Sequence, residues 1–183
     1  MSDSYQINDQ RAMYFLTLQV VFWLDVFTRE AYRKIVIESL TYCRNHKKLE
    51  VYGYVIMSNH VHIIVSSANG TLSDTIRDLK KFTANNIIDS IKTGKESRRK
   101  WLISEMAFAA RKHKRNSQHQ FWTHNNHAVE LSTNKMMEQR LEYIHQNPVK
   151  AGIVDKAVDY LYSSARNYCD GMKGIMEIDL IDF

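Results

Sequence analysis

The first third of the chain alternates between β-type and helix-type hydrophobic patterns. Residues 12–24 are rich in β-branched and aromatic side chains, which predicts a strand. Between residues 29 and 48 the apolar positions recur near helical spacing, and Thr28 precedes them as a candidate N-cap. Two further strands are predicted at about 50–57 and 60–67, joined by a short polar turn.

Helical patterns dominate the rest of the chain. Residues 70–92 carry an apolar stripe at helical spacing. A short extended piece at 120–131 leads to a last helix, predicted from about 133 to 147 with Ser132 or Thr133 as its cap. This order of elements predicts an α+β fold in which helices pack on an antiparallel sheet.

Length and composition favour one domain and exclude several classes of protein. The chain has 183 residues, of which 44% are hydrophobic and 25% charged, as expected for a soluble globular protein. No apolar run approaches the roughly 20 residues that span a bilayer, and the polar N-terminus does not resemble a signal peptide. We therefore expect a cytoplasmic protein without a membrane partner. A single domain over residues 1–183 is predicted, with a core at about 9–154 and a C-terminal extension at 155–183.

Positive charge is concentrated in one segment, residues 92–115. This segment holds nine Lys and Arg against two Glu, although the whole chain has a net charge of only +5. Such a concentration is typical of a phosphate-binding surface, and the alternative is a solvated helix around residues 101–112. The candidate DNA-binding residues are Lys80, Lys81, Arg98, Arg99, Lys100, Arg111, Lys112, Lys114 and Arg115.

Two histidines, His60 and His62, lie in the strand predicted at 60–67. Side chains at positions i and i+2 of a strand point to the same face, so the two imidazoles would stand side by side while Val61 and Ile63 face the core. The pair is a candidate metal site, but it could also be two polar positions on the solvated face of a strand. Two nitrogens alone do not hold a divalent ion firmly, so a third ligand is required.

The last helix offers a third ligand. Tyr143 and Asn147 are four residues apart and therefore share one helical face. Pro148, the only proline of the chain, is expected to stop the helix and to leave the Asn147 amide at its end. The alternatives are a packed aromatic side chain at Tyr143 and a helix-capping amide at Asn147.

Taken together, YVIMSNHVHIIV (residues 54–65) and YIHQNPVKAGIV (143–154) resemble motifs of the single-tyrosine HUH transposases. The branch they resemble is that of the REP-associated tyrosine transposases and their insertion-sequence relatives. The likeness runs from about residue 9 to residue 170 and includes DYLYSSARNYC at 159–169. It implies a ferredoxin-like (RRM-like) antiparallel sheet with helices packed on it.

The resemblance also implies a role for each residue of the two motifs. His60, His62 and Asn147 would bind Mg²⁺ or Mn²⁺, and Tyr143 would be the nucleophile. Tyr143 would cut single-stranded or hairpin DNA through a 5′-phosphotyrosine intermediate, and the free 3′-OH would later reseal the strand. A homodimer is left open.

Two alternatives remain at this point. One is a non-catalytic nucleic-acid-binding α+β module, and the other is a domesticated nickase that processes hairpin repeats with the same chemistry. His60, His62, Tyr143 and Asn147 favour catalysis, because a binding module has no need of all four.

Overall fold

The computed structural model describes residues 6–112 and 118–182, which contain a four-stranded antiparallel sheet. The strand order is β2-β3-β1-β4, the order of a ferredoxin-like sheet, and the predicted fold class is confirmed. The strands are β1 (Tyr14–Gln19), β2 (Leu49–Ile56), β3 (His60–Ser67) and β4 (Val129–Glu130). The α-helices are α1 (Glu30–Lys47), α2 (Leu72–Thr93), α3 (Arg99–Arg111) and α4 (Asn134–Lys150).

One face of the sheet carries the larger hydrophobic core. Leu16 of β1 and Val61 and Ile63 of β3 point to this face and are completely buried. Leu40 of α1 and Ile76 of α2 pack in the same cluster. Because alternate residues of a strand point to opposite faces, this core directs the even-numbered residues of β3 to the other side.

The opposite face carries a smaller core beneath α4. Phe15 of β1 and Ile64 of β3 pack there with Leu141 and Ile144 of α4. The helix lies so close to β2 that a Cβ atom at Gly53 would be 2.9 Å from Leu141 Cδ1. A side chain at this glycine would therefore force the Leu141 side chain to shift.

The outer edge of β2 is covered by the residues that follow α4. Val55 and Ser163 form an isolated antiparallel bridge, and the Ile56 amide donates to the Tyr162 carbonyl at 2.9 Å. This pairing satisfies backbone groups that an edge strand would otherwise expose.

The first strand is shorter than predicted. It ends at Gln19 instead of residue 24, and two 3₁₀ turns follow at Val21–Trp23 and Val26–Thr28. The backbone of Phe22 and of Trp23 is left-handed, which is incompatible with a strand. Thr28 does not cap α1, because its hydroxyl donates to the Asp25 carbonyl at 3.2 Å.

The last helix is longer than predicted. Thr133 caps it as expected, since its side chain accepts a hydrogen bond from the Met136 amide at 3.3 Å. The helix then continues through Pro148 to Lys150. Its end is a Schellman motif with Gly152 at φ 69°, in which the Ile153 amide donates to the Pro148 carbonyl at 2.9 Å. Pro148 lies within the last turn, so it removes a single backbone hydrogen bond and leaves the helix intact.

Within the described ranges, none of the helices combines the length and the apolar character that crossing a membrane requires.

Candidate functional site

The two histidines of β3 lie side by side on the α4 face of the sheet. Their ring centroids are 4.6 Å apart. His62 is 5% exposed and stacks on Phe15 of β1 at 5.1 Å, whereas His60 is more accessible at the start of the strand. The antiparallel register places Thr17 opposite His62, and the Thr17 hydroxyl oxygen is 2.9 Å from His62 Nδ1.

Hydrogen bonds orient both imidazole rings. Asn59 Oδ1 is 2.7 Å from His60 Nδ1, so this nitrogen donates and His60 Nε2 keeps its lone pair. The Thr17 hydroxyl engages the corresponding Nδ1 of His62. Nε2 is therefore the candidate ligand atom of His60, and it is that of His62 in the tautomer whose Nδ1 donates to Thr17.

Burial keeps both histidines neutral. It lowers the pKa of His60, and together with the neighbouring charges of His60 and Arg140 it lowers the pKa of His62 to about 3. A neutral imidazole is the form that coordinates a metal, so a metal bound here at neutral pH would displace no imidazole protons.

The last helix brings Tyr143 to this pair. The Tyr143 ring centroid is 5.3 Å from that of His62 and 5.9 Å from that of Phe15, and the side chain is 39% exposed. Asn147 lies one turn further along α4, and its Nδ2 donates to the Tyr143 carbonyl at 3.0 Å. This hydrogen bond leaves Oδ1 as the amide atom that could coordinate a cation.

The atom types of these three side chains are those of a divalent-cation site. Two imidazole nitrogens from His60 and His62 and one amide oxygen from Asn147 suit Mn²⁺, and Mg²⁺ would accept the oxygen more readily than the nitrogens. In the described part of the chain there is no cluster of three or more His, Cys, Asp or Glu residues that could hold a metal ion.

Other tyrosines near the sheet are used in packing. The hydroxyl of Tyr160 donates to the Ile56 carbonyl at 2.7 Å, and that of Tyr168 donates to the Tyr52 carbonyl at 2.8 Å. Tyr54 is completely buried, and its burial raises the pKa of its hydroxyl. Tyr143 differs from these three because its side chain is accessible and lies against His62.

His145 lies between Tyr143 and Asn147 in sequence, but its side chain points elsewhere. It is buried, and its Nε2 is 2.9 Å from the Ser164 hydroxyl. The same hydroxyl accepts a hydrogen bond from the Tyr54 amide at 3.0 Å. His145 therefore anchors α4 to β2 and to the C-terminal residues.

Three of the predicted DNA-binding residues make hydrogen bonds to other parts of the protein. Lys80 donates to the Thr123 carbonyl at 2.8 Å and to Asn126, and burial lowers its pKa to about 8. Arg98 donates to the Asp25 carbonyl and to Glu96, and Arg99 donates to the Gly94 carbonyl. These hydrogen bonds tie the three cations to neighbouring loops, and their role in DNA binding stays a prediction.

The remaining predicted cations are at the surface. Lys81, Lys100, Arg111 and Lys112 are exposed. The α3 side carries an open groove of about 710 Å³ whose lining includes Lys92, Lys100 and Arg111. Lys114 and Arg115 lie outside the described residues.

Several residues of the site were not predicted from the sequence. Thr17 and Phe15 reach His62 through the β1–β3 pairing, and the guanidinium of Arg140 lies over the Phe15 ring at 5.0 Å. Only Asn59 had a local signal, because it directly precedes His60 in the motif.

Comparisons with known proteins find one matching family and similar solved structures. The profile of a family described as "Transposase IS200 like" matches residues 13–104, which include both histidines and end before α4. A solved REP-associated tyrosine transposase bound to a REP hairpin aligns with 100% of this chain and 95% of its own, at 19% identity and a TM-score of 0.62. A candidate transposase from Deinococcus radiodurans R1 aligns with 80% of this chain and 95% of its own, at 15% identity and a TM-score of 0.43. A comparison with curated proteins gives no significant match.

Proposed function

Because the chain belongs to the family of IS200-like transposases, we propose that it nicks single-stranded DNA and transfers the cut strand, with Tyr143 as the nucleophile. The observation that carries this proposal is the contact between the Tyr143 and His62 rings, whose centroids are 5.3 Å apart. The two residues come from distant parts of the chain, and the packing of α4 on the sheet places Tyr143 against the histidine pair. The structurally similar REP-associated transposase is bound to a REP hairpin, which supports a hairpin-forming strand as the substrate.

His60, His62 and Asn147 would hold a divalent cation beside the tyrosine. When bound, such an ion would polarise the scissile phosphoryl group and align it for attack. Thr17 and Asn59 would keep the two imidazoles in the orientation that presents Nε2. Arg140 adds a positive charge next to His62, which favours an anionic phosphate at this point.

The proposed reaction has two balanced steps. In the first, the Tyr143 oxygen attacks phosphorus, its proton leaves, and the bond between phosphorus and the 3′ oxygen breaks. The 3′ oxygen takes up a proton, so the products are a 5′-phosphotyrosine and a 3′-OH. In the second step a 3′-OH attacks the phosphotyrosine, the bond to the Tyr143 oxygen breaks, and the tyrosine regains its proton. Each step exchanges one phosphoester for another, and no ATP is required.

A covalent adduct is the decisive product. The protein would be incubated with Mn²⁺ and a pool of single-stranded oligonucleotides that contain hairpins and flanking single strands. We expect a denaturing gel to show a protein–DNA adduct when the 3′ end is labelled and none when the 5′ end is labelled, because a 5′-phosphotyrosine retains the 3′ fragment.

Two phenylalanine variants identify the nucleophile. Tyr143→Phe should abolish the adduct and retain hairpin binding, since it removes one oxygen atom. Tyr42→Phe changes another exposed tyrosine, on α1, and should leave the adduct unchanged. An adduct that persisted in Tyr143→Phe would refute the assignment, and mass spectrometry of the linked peptide would then name the true nucleophile. Hairpin binding without any adduct in the wild-type protein would favour a non-catalytic binding module.

A further inference from the structure

Two consecutive aromatic residues, Phe22 and Trp23, are presented to solvent in an unfavourable backbone conformation. Their φ angles are 53° and 55°, in the left-handed region that bulky residues rarely adopt. Their side chains are 44% and 57% exposed, so burial does not explain the choice of residue. The flanking Val20 and Leu24 are buried and hold the turn in place. The fold therefore maintains a strained turn that exposes two large aromatic rings to solvent.

These two rings lie between the candidate active site and α3. The Trp23 ring meets the His60 ring at 6.0 Å in an edge-on arrangement. On the other side, the Phe22 ring is 6.0 Å from that of Phe108, an exposed residue of α3. The aromatic row thus runs from α3 to the first histidine of the pair.

Positive charge accompanies this aromatic row. The ammonium of Lys112 lies over the Phe108 ring at 4.6 Å and over the Phe22 ring at 5.3 Å. Arg111, the residue before it, is exposed and lines the groove along α3. Flat rings for bases and cations for phosphates are the two components of a surface that binds single-stranded nucleic acid. A surface for an apolar protein partner would not require these cations.

We propose that Phe22 and Trp23 form a platform on which unpaired bases of single-stranded DNA stack, and that this platform leads the strand to His60. The choice of DNA as the ligand rests on the proposed function, but binding to the platform needs neither the metal nor Tyr143. It can therefore be measured separately from cleavage.

The test is equilibrium binding of a fluorescent oligothymidine without a hairpin, in EDTA. Stacking contributes roughly 5- to 150-fold in affinity per base, so the double variant Phe22→Ala/Trp23→Ala should bind at least about tenfold more weakly than the wild type. Trp23→Phe should retain most of the affinity, because it keeps a ring. Tyr42→Ala removes an equally exposed aromatic side chain from α1 and should change nothing.

Two further measurements separate stacking from charge. An oligonucleotide with abasic positions should bind the wild type as weakly as intact oligothymidine binds the double variant. Its affinity for the double variant should be little lower than its affinity for the wild type, because both changes remove the same stacking contact. The double variant should keep the salt dependence of the wild type, whereas Arg111→Ala/Lys112→Ala should flatten it, because only lost phosphate contacts change counterion release.

A spectroscopic measurement covers the case in which the double variant fails to fold. Trp122 is buried, so in a Trp101→Phe background the exposed Trp23 is the remaining accessible tryptophan. Oligothymidine should quench its emission, and the abasic strand should quench it less. Equal affinity of a folded double variant and the wild type, or equal quenching by the two strands, would overturn the platform. An absent covalent adduct would instead count against the proposed catalytic function alone.

Discussion

The two faces of the sheet use the same strand for opposite purposes. On the face that carries the larger core, here called the closed face, Val61 and Ile63 of β3 are completely buried against α1 and α2. On the α4 face, His60 and His62 alternate with them, and the helix above leaves Tyr143 partly exposed. Neighbouring residues of β3 lie on different faces of the sheet. A substitution at one residue should therefore change stability, and a substitution at the next should change metal binding.

Removing the histidines should produce the largest effect. We expect His60→Ala to reduce Mn²⁺ binding and adduct formation to background while the protein remains folded, because His60 is partly exposed. His62→Ala should abolish the same activities, and it should also cost stability, since His62 is buried against Phe15. Asn147→Ala should weaken Mn²⁺ binding less, because water can replace one amide oxygen.

Calorimetry with Mn²⁺ and thermal unfolding of the same samples would measure both properties. Undiminished Mn²⁺ binding in a folded His60→Ala/His62→Ala double variant would show that the metal site is elsewhere.

A substitution on the closed face should reduce stability and leave Mn²⁺ binding unchanged. Ile63→Ala is expected to destabilise the protein by about 2–5 kcal/mol, because it leaves a cavity in the larger core. At a temperature where the variant is folded, Mn²⁺ affinity and adduct formation per folded molecule should match those of the wild type. Urea unfolding and calorimetry would test this. A loss of Mn²⁺ affinity in the folded variant would mean that the two faces are coupled.

The same alternation explains which parts of the fold could be predicted from sequence. The β2–β3 hairpin and α2 follow from strict local patterns, and the structure confirms them within one or two residues. The end of β1 could not be predicted, because the apolar run continues through Phe22 and Trp23 without a glycine or asparagine to signal the left-handed turn. Pro148 misled in the other direction, since α4 continues through it to Lys150.

The residues of the candidate site also differ in whether the sequence predicts them. His60, His62, Tyr143 and Asn147 are recognisable because each pair has a local spacing. Thr17 and Arg140 could not be found, because their contacts depend on strand register and on the packing of α4. The internal hydrogen bonds of Lys80 and Arg98 were not predicted either, since charge counts do not show whether a cation contacts a loop of its own protein.

Acid should destabilise the protein through the α4 face. Burial lowers the pKa of His62 to about 3 and that of His145 to about 4, whereas the unfolded chain has histidines of ordinary pKa, about 6.5. The unfolded state then binds more protons below pH 6.5, so stability is complete above that pH and falls as the pH decreases. The loss for each group should approach about 1.4 kcal/mol per pH unit well below pH 6.5, which amounts to about 1.4 kcal/mol in total between pH 7.5 and 5.5.

Urea unfolding between pH 7.5 and 5.5 would measure this loss in a window where few carboxylates titrate. His145→Gln should reduce the pH dependence, because it removes one of the two buried bases. A free energy of unfolding that does not change over this window would contradict the burial of the two histidines.

The smallest predicted effect concerns the hydroxyl that orients His62. Thr17→Val keeps the size and branching of the side chain but removes the oxygen that lies 2.9 Å from His62 Nδ1. We expect Mn²⁺ affinity to fall roughly 10- to 100-fold, as is usual when the outer partner of a ligating histidine is lost. The fold should persist, since valine suits a strand.

Thr41→Val is the matched control, because the Thr41 hydroxyl donates to the Ile37 carbonyl within α1, on the closed face. If calorimetry gave the same Mn²⁺ affinity for Thr17→Val, Thr41→Val and the wild type, Thr17 would contribute only packing, and His62 would be held in place by its stacking on Phe15.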